Sequence, residues 1–475
     1  MADNLAVKLA LARAVGGLSR LGGKGGTSAP GKLLIRLAPE AIGELGSRLP
    51  RGSVLISATN GKTTTASMAA GILERAGISL VHNQAGANMA GGVASTLLAA
   101  ARPHGAIAGE LGLFEVDELW LAPLAAELHP RTILLGNLFR DQLDRYGELE
   151  TIADSWAALV GEDGARLVLN ADDPLIADLG RERPDALYFG MEDDSLALPG
   201  MAHAADAKHC RRCGAPYVFD AVYLGHLGHY HCPGCGRERP QPTVLAGDVR
   251  LQGVRAAGFL LRTPEGQGEV RLAVPGLYNV YNALAAAALG TALDVPLQTI
   301  IAGLQSTRAA FGRAETVQLA VTTTADRRID PGRPATATRE LRILLVKNPA
   351  GANEVLRTLV LEPGLHDLLG VLNDQIADGR DVSWIWDADF ELLAGRVRRV
   401  TCSGTRAADL ATRLKYAGVD PERIHVQPDL AAALSDAAGD RPQGGAPLYA
   451  LPTYTAMLSL RELLVARGEA SSAWA

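Results

Sequence analysis

The sequence predicts an α/β protein built from a P-loop central domain, an inserted four-cysteine metal ribbon and a Rossmann-like C-terminal domain. Three observations carry that prediction. Short apolar runs ending in polar residues alternate with helical periodicity along most of the chain, which is the pattern of a parallel sheet with helices on its faces. One such run, "VLISATNGKTTT", leads straight into a Gly-Lys-Thr-Thr turn and an Ala-rich helix. Four of the five cysteines stand as two CxxC pairs, Cys210/Cys213 and Cys232/Cys235, near the middle of the chain.

Composition sets the outer limits. At 475 residues the chain exceeds one ordinary core, and domains of roughly 100 to 200 residues suggest about three. Apolar residues make up 48% and charged ones 21%, the balance of a soluble folded protein. A net charge of -6 speaks against a nucleic-acid partner, which requires a clustered basic surface. Clustered rather than spread cysteines favour a reducing compartment, so the expected location is the cytoplasm. No apolar stretch reaches the ~20 residues of a membrane span, and no export signal is evident.

Residues 1–50 read as an N-terminal segment packing on the central domain. Its stretch "NLAVKLALARAVGGLSRLGGKGG" places apolar residues at Leu5, Leu9 and Leu11 and basic ones at Lys8, Arg13, Arg20 and Lys24, and self-packing is favoured over lying on lipid. The central domain, residues 51–315, repeats strand, turn and helix through "VLISATNGKTTT", "AIAGELGLFEVDE", "RTILLGNL" and "RLVLNADD". Ligands are expected beyond the carboxyl ends of these strands. The ribbon, about residues 203–242, interrupts the pattern after "ALYFG"; a strand in "GEVRLAVPG" and a helix starting near Tyr278 follow. Residues 316–340, rich in Thr, Pro and charge, read as a linker or loop. Residues 341–475 restart the rhythm as a second Rossmann-like unit, with "RILLVKNPAG", "LLGVLND", "VSWIWD", "RVTCSG", "RIHVQ" and "PLYALPTYTAM" as strand candidates.

The turn formed by Thr59, Asn60, Gly61, Lys62, Thr63 and Thr64 has the chemistry of a phosphate loop. Backbone N–H groups at a helix start cradle phosphate oxygens, Lys62 reaches the terminal phosphates of ATP, and the Thr63 hydroxyl is placed to ligate Mg²⁺. Strict Walker spacing is not met, because Ile56 stands where its first glycine would be. Cys210, Cys213, Cys232 and Cys235 supply four thiolates, which close a structural zinc tetrahedron without an open catalytic position. His209, His226, His229 and His231 lie nearby and read as surface groups or groups behind the ligands. Cys402 ends a predicted strand and reads as a small buried residue.

These motifs, in this order, resemble the Mur ligase superfamily. "ATNGKT" is similar to its ATP loop with Ala58 in place of a glycine, so the loop must avoid a positive φ at Ala58 or accept some strain there. "LFEVDE", "NLFRDQLDRYGELE", "LVLNADDP", "GLYNVYNALAA" and "AFGRAE" resemble the family's further motifs. The resemblance implies a Mg²⁺ ligand at Glu115, adenine-side contacts at Asn279 and Asn282, and an ATP contact at Arg313. Two departures weaken a second metal site: Gln142 stands where many members have His, and no Lys occurs between Asp141 and Ala165.

"GGTSAPGKLLIRLAP", "RDQLDRYGE" and the C-terminal "KNPAGANEVL", "DGRDVSWIWDADFE" and "LPTYTAML" are most similar to the branch of the superfamily that amidates lipid II. That resemblance implies ATP-dependent phosphorylation of the D-glutamate α-carboxylate in the lipid II stem peptide, at the inner membrane face, and then amidation to D-isoglutamine. Ammonia would come from a separate glutaminase, GatD, forming a heterodimer through the C-terminal domain. An acid lent to the glutaminase's Cys–His pair is expected at Asp381 or Asp387, with Asp387 favoured because it follows an apolar run. Lys347 and Asn348 are expected near the reaction. The rival readings are another Mur or folylpolyglutamate-type amino-acid ligase acting alone, and a zinc-ribbon nucleic-acid module with a P-loop ATPase.

Overall fold

The computed structural model of the chain describes residues 7–14, 28–83, 87–102, 106–141, 149–162, 164–201, 205–307, 315–321, 337–439 and 446–470. Its first sheet contains β1 (Ser53–Ser57), β2 (Leu80–His82), β3 (Leu111–Glu115), β4 (Thr132–Leu135), β5 (Arg166–Asn170) and β6 (Leu187–Met191). A separate hairpin, β7 (Val218–Leu224) and β8 (Leu227–His231), precedes β9 (Val244–Gln252), β10 (Ala256–Thr263) and β11 (Gly266–Leu272). The nine-stranded order is β11-β10-β9-β6-β5-β4-β1-β3-β2.

Every pairing from β2 to β9 is parallel, and β9-β10-β11 close the edge as an antiparallel meander. Every residue of β1, β3 and β4 is buried. Continuous apolar runs of this kind belong to strands covered on both faces. The helix α1 (Lys62–Arg75) packs on one face beside α2 (Leu277–Ala292), whose alanines lie at or near zero exposure. Small side chains let these helices approach closely: a Cβ on Gly303 of the neighbouring Leu297–Gln305 helix would stand 2.7 Å from Ile72 Cα.

On the other face, the helix over residues 7–14 buries Leu9 and Ala12 and exposes Val7 and Leu11. Arg13 Nη2 donates to the Leu98 carbonyl at 3.0 Å, which ties this helix to the helix Ala90–Ala100. Leu5, Arg20 and Lys24 lie outside the described residues. No described helix is long and apolar enough to cross a membrane.

The second sheet contains β12 (Glu315–Val321), β13 (Ala337–Ile343), β14 (His366–Val371), β15 (Val397–Ser403), β16 (Ile424–Val426) and β17 (Leu448–Pro452), in the order β12-β13-β17-β14-β15-β16. Only the β12–β13 pair is antiparallel. Residues 316–321 and 337–340, expected as linker, are thus strand, paired as β12 and the start of β13, and Val317 and Leu319 alternate inward on β12.

The expected strand in "VSWIWD" is instead a 3₁₀ turn, Ser383–Trp386. Val382, Ile385 and Ala388 are buried while Ser383 and Trp386 are exposed. That spacing of three fits a 3₁₀ helix and not the two-residue period of a strand.

Candidate active site

β1 delivers the phosphate loop and α1 carries it away. Gly61 adopts φ 84°, and a Cβ on it would stand 1.9 Å from Asn282 Oδ1, so both backbone and space require glycine. Ala58 is absent from the residues with positive φ, so the loop takes alanine there without strain. The end of β4 fixes the loop from the side. Asn60 N–H donates to Asn137 Oδ1 at 2.9 Å, Asn137 Nδ2 donates to the Asn60 carbonyl at 3.0 Å, and Phe139 N–H donates to Thr59 Oγ1 at 3.1 Å.

The charged groups converge at the start of α1. Lys62 Nζ lies 2.7 Å from Glu118 Oε2, and both are buried. Burial alone would lower the Lys62 pKa, but Glu118, with Glu115 and Asp117 behind it, holds it above the ordinary value. Burial likewise opposes ionisation of Glu118, and the ammonium groups of Lys62 and Lys347 pull its carboxyl below the ordinary value.

Thr63 Oγ1 donates to Glu115 Oε1 at 3.0 Å, and Asn88 Nδ2 lies 3.5 Å from the same oxygen. A hydroxyl and a carboxylate facing each other beside a phosphate loop are the hard oxygen donors Mg²⁺ takes. Under the loop, Thr65 Oγ1 donates to Asn282 Oδ1 at 3.3 Å, Asn282 Nδ2 to Asn279 Oδ1 at 3.1 Å, and Asn279 Nδ2 to the Pro275 carbonyl at 2.7 Å.

The second sheet completes the cleft. Lys347, beyond β13, reaches the Thr59 carbonyl at 3.1 Å and Asp141 Oδ2 at 2.6 Å. Asn348 Nδ2 donates to Asn60 Oδ1 at 2.9 Å. Asn348 also caps α3 (Pro349–Val360), its Oδ1 accepting from Gly351 N–H. Glu354 on α3 lines the same cavity of about 410 Å³, together with Phe139, Leu224, Leu227 and Tyr454. Burial raises the Glu354 pKa, and the ion pair with Arg357 at 2.7 Å offsets this only in part.

The two candidate acids sit differently. Asp381 Oδ1 accepts the Ser383 N–H at 2.8 Å, a local cap that holds its carboxyl below the ordinary value. Asp387 is half-exposed at the end of the 3₁₀ turn, with Oδ2 3.8 Å from Arg140 Nη2. Next to it, exposed Trp386 and Tyr416 pack ring to ring at 5.8 Å. Arg313 and Gln142 lie outside the described residues.

Cys210, Cys213, Cys232 and Cys235 bring their sulfurs within 4.8 Å of one another, with Cys210–Cys235 at 3.6 Å and Cys213–Cys232 at 3.4 Å. A zinc–sulfur tetrahedron with bonds of about 2.3 Å has edges close to these separations, so the residues fit that ion. Of the histidines, His226 is buried far along the hairpin, and His231 pairs with Asp220 at 3.1 Å. Cys402 is fully buried, which pushes its thiol up to about 12.

Glu118, Phe139, Glu354 and the hairpin leucines were not singled out from sequence. Glu118 carried a legible signal, an acid three residues past Glu115 at a strand end. The others reach the cleft only through tertiary folding.

A phosphate loop at a strand end, a magnesium-type acid on the neighbouring strand and a second Rossmann-like sheet closing the cleft define an ATP-dependent ligase of the Mur superfamily. Residues 56–214 match the model of the Mur ligase middle domain, and residues 345–457 that of the MurT ligase C-terminal domain. The lipid II isoglutaminyl synthase (glutamine-hydrolyzing) subunit MurT of Streptococcus pneumoniae (strain ATCC BAA-255 / R6) is 32% identical, over 95% of this chain and 94% of its own. Its counterpart in Staphylococcus aureus (strain N315) is also 32% identical, over 94% of both chains. The chain therefore belongs to the MurT family.

Solved structures share the fold. A pseudomurein peptide ligase type C from Methanothermus fervidus superposes with a TM-score of 0.65 at 22% identity, covering 88% of this chain and 79% of that one. MurF ligase from Thermotoga maritima, solved in complex with ADP, gives 0.59 at 15% identity over 91% and 83%.

Proposed function

We propose that the cleft transfers the γ-phosphoryl group of ATP to the D-glutamate α-carboxylate of the lipid II stem peptide, releasing ADP, and that ammonia then attacks the acyl carbon and displaces phosphate, giving the D-isoglutamine amide used in peptidoglycan synthesis. The carrying observation is that the phosphate loop and the family's own C-terminal unit meet in one cavity, through Asn60–Asn348 and Thr59–Lys347. Backbone N–H groups at the start of α1 and the Lys62 ammonium hold the phosphates, and the helix dipole adds to their positive field. Release of Lys62 from Glu118 to the nucleotide leaves Glu118 facing Lys347, so the site keeps its charge balance. Thr63 and Glu115 are the residues that would hold Mg²⁺, which when bound neutralises charge developing on the transferred phosphoryl group. Lys347, anchored on Asp141, presents its ammonium at the mouth of the loop, where an acyl phosphate oxygen needs a counter-charge.

Ammonia is supplied by a separate glutaminase of the GatD type, docked on the C-terminal unit and meeting lipid II at the inner membrane face. Both candidate acids reach solvent, and Asp387 is the one favoured to be lent to the partner's Cys–His pair because it is flanked by the exposed aromatics Trp386 and Tyr416, whereas Asp381 is held by the Ser383 N–H.

The test mixes the purified chain with lipid II, ATP-Mg²⁺ and either ammonium or glutamine, and follows the OH-to-NH₂ mass change of the stem peptide. Product with ammonium alone, and with glutamine only when a glutaminase is added, is the expected result. No product from either nitrogen source, with the partner present, would overturn the reading.

A further inference from the structure

The hairpin anchored by the cysteine cluster extends well beyond it. Cys232 directly follows β8, and at the other end of the hairpin the two-residue turn Gly225-His226 is driven into the central domain. His226 has no exposed surface; its ring lies 4.6 Å from that of Phe139 and its Nε2 3.3 Å from Asp173 Oδ2. Gly228 N–H donates to the Asp172 carbonyl at 2.9 Å. Gly225 holds φ 60°, and a Cβ on it would meet Phe139 Cε1 at 2.6 Å, so a side chain at this position would displace the tip.

The residues on either side of this turn, Leu224 and Leu227, line the cleft itself. The cleft is chemically divided. Lys62, Thr63 and Glu115 are its polar and charged lining, whereas Phe139, Leu224 and Leu227 supply apolar surface of the kind a flat heteroaromatic ring seeks. Asp172, whose carbonyl takes the Gly228 N–H, also accepts the Tyr281 hydroxyl through Oδ2 at 2.7 Å, so the hairpin tip stands beside the start of α2, which carries Asn279 and Asn282; with the phosphates held at the loop, this is the side where the base packs.

We propose that Leu224 and Leu227, at the tip of the ribbon hairpin, form the wall of the cleft that packs on the nucleotide base. The metal clip and the nucleotide site are then joined through β8, whose five residues span about 16 Å. Metal binding stiffens the hairpin and so favours nucleotide binding, and by reciprocity bound nucleotide raises the affinity for the metal by the same factor. This rests on the cleft being the nucleotide site.

The test uses the full metal-loaded chain and two probes, ADP and inorganic tripolyphosphate, with affinities measured by calorimetry. The double variant Leu224→Ala/Leu227→Ala is expected to bind ADP about tenfold more weakly, the scale of a few lost methylene contacts. Its affinity for tripolyphosphate and its metal content stay at wild-type values. Gly225→Ala weakens ADP in the same direction by pushing the tip off Phe139, and single Leu227→Ala serves if either variant fails to fold. Val218→Ser, at the exposed far end of β7, leaves both probes unchanged. ADP also raises the chelator concentration that removes half of the metal at equilibrium from the wild type and not from the double variant. Unchanged ADP affinity in folded, metal-loaded Leu224→Ala/Leu227→Ala overturns the proposal. Failure of the wild type to bind either probe overturns the nucleotide reading instead.

Discussion

Glu118, paired with Lys62 at the phosphate loop, and Glu354, lining the cleft, are two buried carboxyls with opposite electrostatic settings. Glu118 faces two ammonium groups and is held ionised, whereas Glu354 has a single arginine and a large desolvation cost. The consequence for stability follows from proton linkage. A carboxyl whose folded pKa is raised binds more protons in the native state than in the unfolded one, so its ionisation removes stability as pH rises through the folded pKa. Glu354→Gln is therefore expected to melt at or above the wild-type temperature at neutral pH, with the difference vanishing as pH falls towards the ordinary Glu value of about 4.3. Melting curves across that range check this, and a variant less stable than wild type at neutral pH contradicts it. The sequence made the loop residues legible because Gly61, Lys62 and Thr63 act through local backbone geometry. Glu354 lay hidden because its burial depends on a helix from the other sheet.

Between elements, the connection that matters most links α3 to the turn bearing Asp387. Asn353 Nδ2 donates to Asp389 Oδ2 at 2.9 Å, and Asp389 N–H donates back to Asn353 Oδ1 at 2.7 Å. Because α3 begins on the phosphate loop through Asn348, this reciprocal pair ties the nucleotide cleft to the surface assigned to the glutaminase. Asn353→Ala is expected to lower glutamine-driven amidation several-fold while ammonium-driven amidation persists; equal loss of both would show only a folding defect. The ribbon is an element of a different kind, too small to hold a core and closed by its four sulfurs. Cys213→Ser is expected to lower the melting temperature by several degrees and reduce solubility, the scale of losing about 1–2 kcal/mol in a domain of this size. Calorimetry with metal analysis checks it, and a variant that retains stability after losing the metal contradicts it. The CxxC spacing made the clip readable from sequence. The path of its hairpin into the cleft was not readable, since Leu224 and Leu227 look like ordinary strand residues until the turn is placed against Phe139. The misread "VSWIWD" segment shows the same limit, because short apolar runs do not declare their period.

At the scale of the whole molecule, two α/β units share one cleft, and a set of polar contacts among the described residues joins them. Asn60–Asn348, Lys347 with Thr59 and Asp141, Arg140–Asp387 and Val254 N–H to Glu362 at 3.0 Å cross between them. Ala350 also packs into the core of the first unit and Val254 into that of the second, so polar and apolar contacts together set how cooperatively the units unfold. Lys347→Ala/Asn348→Ala is expected to split a single calorimetric unfolding transition into two, and ATP-Mg²⁺ to bring the transitions of the wild type closer to one. A single unbroken transition in the double variant would show that apolar packing alone couples the units. Both Rossmann-like rhythms were legible in the sequence because parallel strands write continuous apolar runs. β11 was readable as a strand in "GEVRLAVPG", but β9, β10 and β12, and the antiparallel direction of that edge, were not, since pairing direction is a property of the assembled sheet. A last consequence concerns chemical labelling. Cys402 is sealed in the second core with its thiol pushed up to about 12, so in the folded chain only the ribbon offers sulfur to an alkylating reagent. Iodoacetamide uptake followed by intact mass thus becomes a gauge of metal loading in any preparation, reading the four ribbon cysteines against a silent fifth.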